Sequence, residues 1–160
     1  GLARSLSLDL LDQYRTLERT GQFRFTPPTH AILALKQALD ELDLEGGVEG
    51  RATRYRENHE VLMKGMQRIG FTAYLRAEHQ SHIITSFRDP LDPRFHFEEF
   101  YKRLAGEGFV IYPGKVGNAA CFRVGTIGRI YPDDLFDFVE TVQIVLSDMG
   151  VSQIGGVRHE

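Results

Sequence analysis

Arg123 stands in a short apolar run, Ala120 to Gly128, reading Ala-Cys-Phe-Arg-Val-Gly-Thr-Ile-Gly. A cation placed there is costly to bury unless it meets an anion, and the planar guanidinium fork matches carboxylates, phosphates and phosphonates. The plainer reading is a surface ion pair at a strand end, and on the residues alone both stay open. A second candidate is Arg24-Phe25-Thr26-Pro27-Pro28-Thr29. Its prolines stiffen the chain, so the Thr26 hydroxyl is fixed just before a helix start whose amides suit a phosphate. The same residues also make an ordinary capping turn.

The other reactive side chains assemble less. Of the six histidines, His30, His59, His79, His82, His96 and His159, only His79 and His82 are closely spaced, and no further ligands accompany them, so no metal site is expected. Ser81 beside them lacks an orienting acid and a nucleophile turn. Gly125-Thr126-Ile127-Gly128 is too short for a phosphate-cradling loop, and no dinucleotide fingerprint follows a strand. The single Cys121 cannot form an internal disulfide, and in an apolar strand it reads as packing. Nineteen basic against twenty-two acidic residues give a formal charge of −3, which offers no field for nucleic acid or an anionic membrane. Any anion site must be local. No apolar run is long enough to span a bilayer, and the first residues lack a hydrophobic signal segment, so the chain reads as cytoplasmic.

The elements that must position these groups follow from spacing. The 160 residues, 42% hydrophobic and 26% charged, suit one globular domain, or one domain plus a piece of another. Residues 4–18 move from alternation into helical spacing; 20–29 form a stiff loop; Thr29 sits where a helix cap belongs, and Ile32, Leu35, Leu39 and Leu42 mark a helix ending before Gly46-Gly47. A second helix carries Tyr55, Leu62, Met66 and Ile69 up to Gly70, with Arg51, Arg54, Arg56, Glu57 and Glu60 on its solvated face. Strands are expected at 71–75 and 82–87, a turn at 89–93, a helix from Phe97 to Gly106, and a strand at 109–112. A turn at Pro113-Gly114-Lys115, a loop to Ala119, a strand at 120–124 and a helix from Pro132 to Gly150 complete the series. Residues 151–160 read as a mobile tail. From Gly47 the order helix, strand, strand, helix, strand, strand, helix implies an α/β arrangement of the α+β kind. It is a small, mostly antiparallel sheet with helices on one face. The first forty-five residues do not complete that unit and look like part of something larger.

Six segments carry a resemblance: Gly21-Gln-Phe-Arg-Phe-Thr-Pro-Pro-Thr-His30, Glu45-Gly-Gly-Val48, Arg54-Tyr-Arg-Glu-Asn58, Gln80-Ser-His-Ile-Ile-Thr85, Gly108-Phe-Val-Ile-Tyr-Pro-Gly-Lys115 and Cys121-Phe-Arg-Val-Gly125. From Arg4 to about Asp148 the chain resembles the 2-aminoethylphosphonate:pyruvate transaminases, class V aminotransferases among the fold-type I pyridoxal-phosphate enzymes. The resemblance implies the carboxy-terminal part of such an enzyme, with the end of the large cofactor domain and interdomain helix at 1–45 and the small domain at 46–150. It implies that Arg123 holds the anionic end of the substrates, 2-aminoethylphosphonate and pyruvate, and that Thr26 binds the cofactor phosphate of a neighbouring subunit in a homodimer. Arg24 is implied to share that electropositive wall.

The resemblance also implies what is missing. The family's cofactor-bearing lysine, the aspartate facing the pyridine nitrogen and the stacking aromatic lie upstream of the matched region, and none of Lys36, Lys64, Lys102 and Lys115 matches that lysine. The chain alone is therefore expected to be catalytically silent. His82 stands where the family usually has proline and Thr126 where it usually has asparagine, and both are expected to adjust packing near the site. Two alternatives are a related class V enzyme acting on alanine, serine or glyoxylate, and a non-catalytic interaction module built on the small-domain fold.

Overall fold

A computed structural model describes residues 2–116 and 119–155, with backbone alone at 115 and 116. The chain divides into two compact units, Gly1–Gly47 and Val48–Glu160. That division falls two residues beyond the boundary expected at 45/46, within the Gly46-Gly47 region where both glycines take positive φ.

The first unit holds a short 3-10 turn at Leu6–Leu8 and the helices α1 (Leu10–Thr20) and α2 (Thr29–Leu44). Asp9 caps α1, its side chain accepting from Asp12 N at 3.0 Å. Pro28, rather than Thr29, is the N-cap residue of α2, and no side chain caps that end. Proline at this position fixes φ but brings no side-chain acceptor, which is why the expected threonine cap is absent. Neither helix buries a residue: Leu10, Tyr14, Ile32, Leu33, Leu35 and Leu39 are all exposed.

In the second unit come α3 (Gly47–Ile69), β1 (Ile84–Arg88), α4 (Phe97–Gly106), β2 (Tyr112–Val116), β3 (Ala119–Gly125) and α5 (Pro132–Asp148). The strands run antiparallel in the order β1-β3-β2, so β3, which carries Arg123, lies at the centre. One face of the sheet is covered. Leu62 and Met66 from α3, Phe100 and Leu104 from α4, and Leu135, Phe138, Val139, Val142 and Leu146 from α5 pack with Phe87, Phe122 and Val124 of the strands. The small antiparallel sheet with helices on one face is the expected architecture.

Three local expectations give way. Residues 71–75 form only an isolated bridge, Ala73 to Phe87, with Tyr74 N donating to Ser86 O and Arg88 N to Thr72 O. The second strand begins at Tyr112 and runs through Pro113 and Gly114, where a turn was expected. An edge strand tolerates proline, whose missing N–H takes nothing from a neighbour on the outer side, so Pro-Gly here does not break the ladder. Residues 117 and 118, between β2 and β3, lie outside the described residues. The supposed mobile tail is docked over its first five residues: Val151 is buried, and Asp92 Oδ2 accepts from Ser152 N at 2.9 Å and Gln153 N at 3.2 Å. Residues 156–160 lie outside the described residues.

Candidate anion site on the open face of the sheet

Alternation along β3 sends Phe122 and Val124 into the core and Arg123 to the opposite face, where it is exposed. Strand register places Ser86 of β1 and Tyr112 of β2 directly across from Arg123, so the three residues form one row on the open face. Gly125 and Gly114 stand on that face in the rows to either side, paired with Ile84 and Cys121. The result is an arginine flanked by two hydroxyl-bearing side chains on a floor kept low by glycine. Arg123 Nη2 donates to Pro113 O at 3.3 Å, and among the described residues no carboxylate lies within ion-pair distance of the guanidinium. Among the described residues, the surface ion pair of the plainer reading is not what holds Arg123.

The segment leaving β3 is tied down from two sides. Thr126, fully buried, donates Oγ1 to His82 O at 2.8 Å, and its N donates to Ile83 O at 2.9 Å. His82 and Thr126, the two positions that the sequence resemblance singles out as departures, are thus bonded to each other. From α3, Arg54 Nη1 donates to Gly128 O at 2.7 Å and Ile130 O at 2.9 Å, with its guanidinium over the rings of Tyr55 and Tyr131. Asn58 Nδ2 adds a bond to Ile130 O at 2.9 Å. Arg54 was expected on a solvated face. A charge pattern along a helix shows which residues are polar but not which loop will return to meet them, so the sequence carried no signal for this role beyond the Arg54-to-Asn58 motif.

His59 on α3 lies 3.3 Å from Thr85 Oγ1, with the His82 ring 5.5 Å away edge-on. Burial lowers the His59 pKa, the neighbouring His82 lowers it further, and Glu60 opposes both. The Cys121 thiol is pushed up by burial, then by Asp89, against the opposing charge of Arg88. It stays protonated and is a poor nucleophile, in keeping with a packing role. No cluster of three or more metal-ligating side chains occurs among the described residues.

In the first unit, Thr26 is exposed and makes no hydrogen bond among the described residues. Arg24 is turned inward: its Nε pairs with Asp12 Oδ2 at 3.0 Å, Nη1 donates to Asp9 O at 3.2 Å, and its N donates to Gln13 Oε1 at 3.2 Å. The guanidinium thereby braces the loop against α1 and lies over the Phe25 ring. Lys36, Lys64 and Lys102 each pair with a carboxylate one helical turn away, Asp40, Glu60 and Glu98 respectively, on exposed helix faces.

The fold matches part of solved aminotransferase structures. Alanine–glyoxylate aminotransferase from Nostoc sp. superposes with a TM-score of 0.72 at 21% identity, covering 91% of this chain and 40% of that one. In sequence the relatives are more specific. The 2-aminoethylphosphonate–pyruvate transaminase of Phocaeicola vulgatus is 50% identical over 146 residues, 91% of this chain and 40% of its own length. That of Vibrio vulnificus is 50% identical over 144 residues, 89% of this chain and 39% of its own. The chain thus spans about two fifths of the length of the curated relatives it matches. No protein-family model matches it. No helix among the described residues is long and apolar enough to cross a membrane.

Proposed function

We propose that this chain is the carboxy-terminal portion of a 2-aminoethylphosphonate:pyruvate transaminase. The whole enzyme would transfer the amino group of 2-aminoethylphosphonate to pyruvate, giving phosphonoacetaldehyde and alanine in a ping-pong exchange. The observation that carries the reading is Arg123: an exposed guanidinium on the central strand, with no acid partner among the described residues, in a chain half identical to transaminases of that name. Its fork would take the phosphonate in one half-reaction and the pyruvate carboxylate in the other.

Pyridoxal phosphate, when bound, would supply the electron sink for moving the amino group. Of this chain's residues, Thr26 fits its phosphate, because the hydroxyl is exposed and without a partner among the described residues, just before an α2 start that no side chain caps. Arg24 would hold that loop in place and keep a positive charge beside it. The reading assigns 1–45 to the end of the cofactor domain and 46–150 to the small domain. It assigns the protein to a cytoplasmic homodimer in which Thr26 serves the neighbouring subunit. The exposed apolar residues of α1 and α2 would then be covered by the rest of the enzyme. The lysine that carries the cofactor is not among these residues, so the chain by itself would not catalyse the reaction.

Three measurements test this. In the full-length enzyme, Arg123→Ala is expected to weaken both half-reactions by about 1.5–3 kcal/mol for each charge-assisted bond lost; unchanged rates with both substrates would remove the role from Arg123. Activity with serine or glyoxylate and none with the aminophosphonate would discard the substrate assignment. Pyridoxal phosphate added to the isolated chain should give no saturable absorbance band that a single lysine substitution abolishes.

A further inference from the structure

Resting on the anion-binding reading of Arg123, we propose that Gly114 is a positioning residue for that reading. By lacking a side chain, it leaves the slot in which the Arg123 side chain lies, and so aims the guanidinium at the substrate anion. A Cβ built on Gly114 would stand 3.1 Å from Arg123 Cγ, 3.2 Å from Arg123 Nε and 3.4 Å from Cys121 O. The Arg123 stem therefore crosses directly over the residue diagonal to it on β2. At the far end, Nη2 reaches the carbonyl oxygen of the preceding residue, Pro113, at 3.3 Å. Pro113 thus meets the tip of the side chain, while Gly114 lies beneath its stem.

The backbone does not explain the glycine. Gly114 is not among the glycines with positive φ, and it sits in regular antiparallel register opposite Cys121. A residue with a side chain could take this conformation, and glycine inside a strand is unfavourable in itself, losing backbone entropy and packing nothing. What requires glycine is the space above it. The register between β2 and β3 is fixed by the ladder, so a methyl group at 114 could be accommodated only by moving Arg123. Arg123 is exposed and free to move outward. The expected consequence of filling the slot is a misaimed arginine in an intact fold, and displacements of that size near a reacting group lower activity steeply.

The test is a double-mutant cycle in the full-length enzyme with Gly114→Ala, Arg123→Ala and the pair, reading KM and kcat for both substrates, the dissociation constant of methylphosphonate by calorimetry, and the thermal midpoint. Gly114→Ala is expected to raise KM for both substrates and the methylphosphonate constant by about tenfold or more, with kcat changing less and the thermal midpoint close to that of the parent. In the Arg123→Ala background the same substitution should add nothing further. A Gly114→Ala enzyme with unchanged KM and methylphosphonate binding, while Arg123→Ala impairs both, overturns the positioning role and leaves the anion-binding role standing. An equal loss from Gly114→Ala with and without Arg123 also overturns it, since the glycine would then act on the strand itself. If Arg123→Ala alone changes nothing, the anion-binding reading fails, and the positioning role fails with it.

Discussion

Gly65 on α3 faces Val139 on α5 so closely that a Cβ at 65 would lie 2.6 Å from Val139 Cγ2 and 2.9 Å from Cγ1. Val139 is buried and β-branched, so its methyl groups have no alternative rotamer to retreat into. Alanine at 65 gains about 1 kcal/mol in helix propensity but must separate two packed helices, at about 1–3 kcal/mol of overpacking strain. Gly65→Ala should therefore lose up to about 2 kcal/mol net, readable as a lower denaturant midpoint; an increase in stability would show that the two helices part without strain.

Phe122 is the hub of the aromatic core. Its ring centroid lies 5.4 Å from Phe71, 5.5 Å from Phe100, 5.9 Å from Phe87 and 6.3 Å from Phe97. Phe122→Ala is expected to cost about 3–5 kcal/mol. The next residue, Arg123, projects to the other face, so Arg123→Ala should leave the denaturation midpoint nearly unchanged, and the two neighbouring substitutions would separate stability from binding.

Acid should weaken the fold through Asp92. Its carboxylate accepts from Arg94 Nε at 2.9 Å and Nη2 at 2.6 Å, as well as from the amides of Ser152, Arg94 and Gln153. The Arg94 guanidinium first, and those amides after it, hold the carboxyl far below the usual carboxylate range. A carboxyl depressed in the folded state contributes stability above its unfolded pKa of about 4 and loses it as pH falls below that. Asp92→Asn should lower the thermal midpoint at pH 7 and flatten the stability profile below about pH 4. An unaltered acid limb in the variant would assign that limb to other carboxylates.

A second pH dependence belongs to His59. Its folded pKa is lowered, chiefly by burial and then by His82, with Glu60 opposing. Protons then bind the unfolded chain more readily, so the stability it contributes is complete above its unfolded pKa of about 6.5 and declines as pH falls through that value. His59→Gln should reduce the fall in thermal midpoint between about pH 7 and 5; an unchanged fall would assign the dependence to other groups.

The helices were legible because their apolar residues recur at helical spacing, as in Phe97, Phe100, Tyr101 and Leu104 of α4. The covered sheet followed from their order. Pro113-Gly114 misled because a dipeptide that signals a turn in isolation is tolerated on an edge strand, and edge position is a property of the whole sheet. Arg123 was visible as an oddity in an apolar run, but that it meets no acid partner among the described residues depends on which strands flank it. Arg54 and Asp92 were hidden for a related reason. Each bonds a segment far along the chain, Arg54 to Ile130 across 76 positions and Asp92 to Ser152 across 60, and no local pattern encodes such meetings.

The Asp92 to Ser152 bond also bears on the order of events in folding. Between its partners lie α4, β2, β3 and α5, all of which must be laid down before the loop they form can close at this point. Closing that loop costs chain entropy before the contacts of the core are in place to offset it, so the bond is expected to form after the rate-limiting step. It then acts as a latch on the finished fold. Weakening it should leave the refolding rate nearly unaltered while shortening the native lifetime, so that Asp92 governs how long this unit stays folded rather than how quickly it gets there.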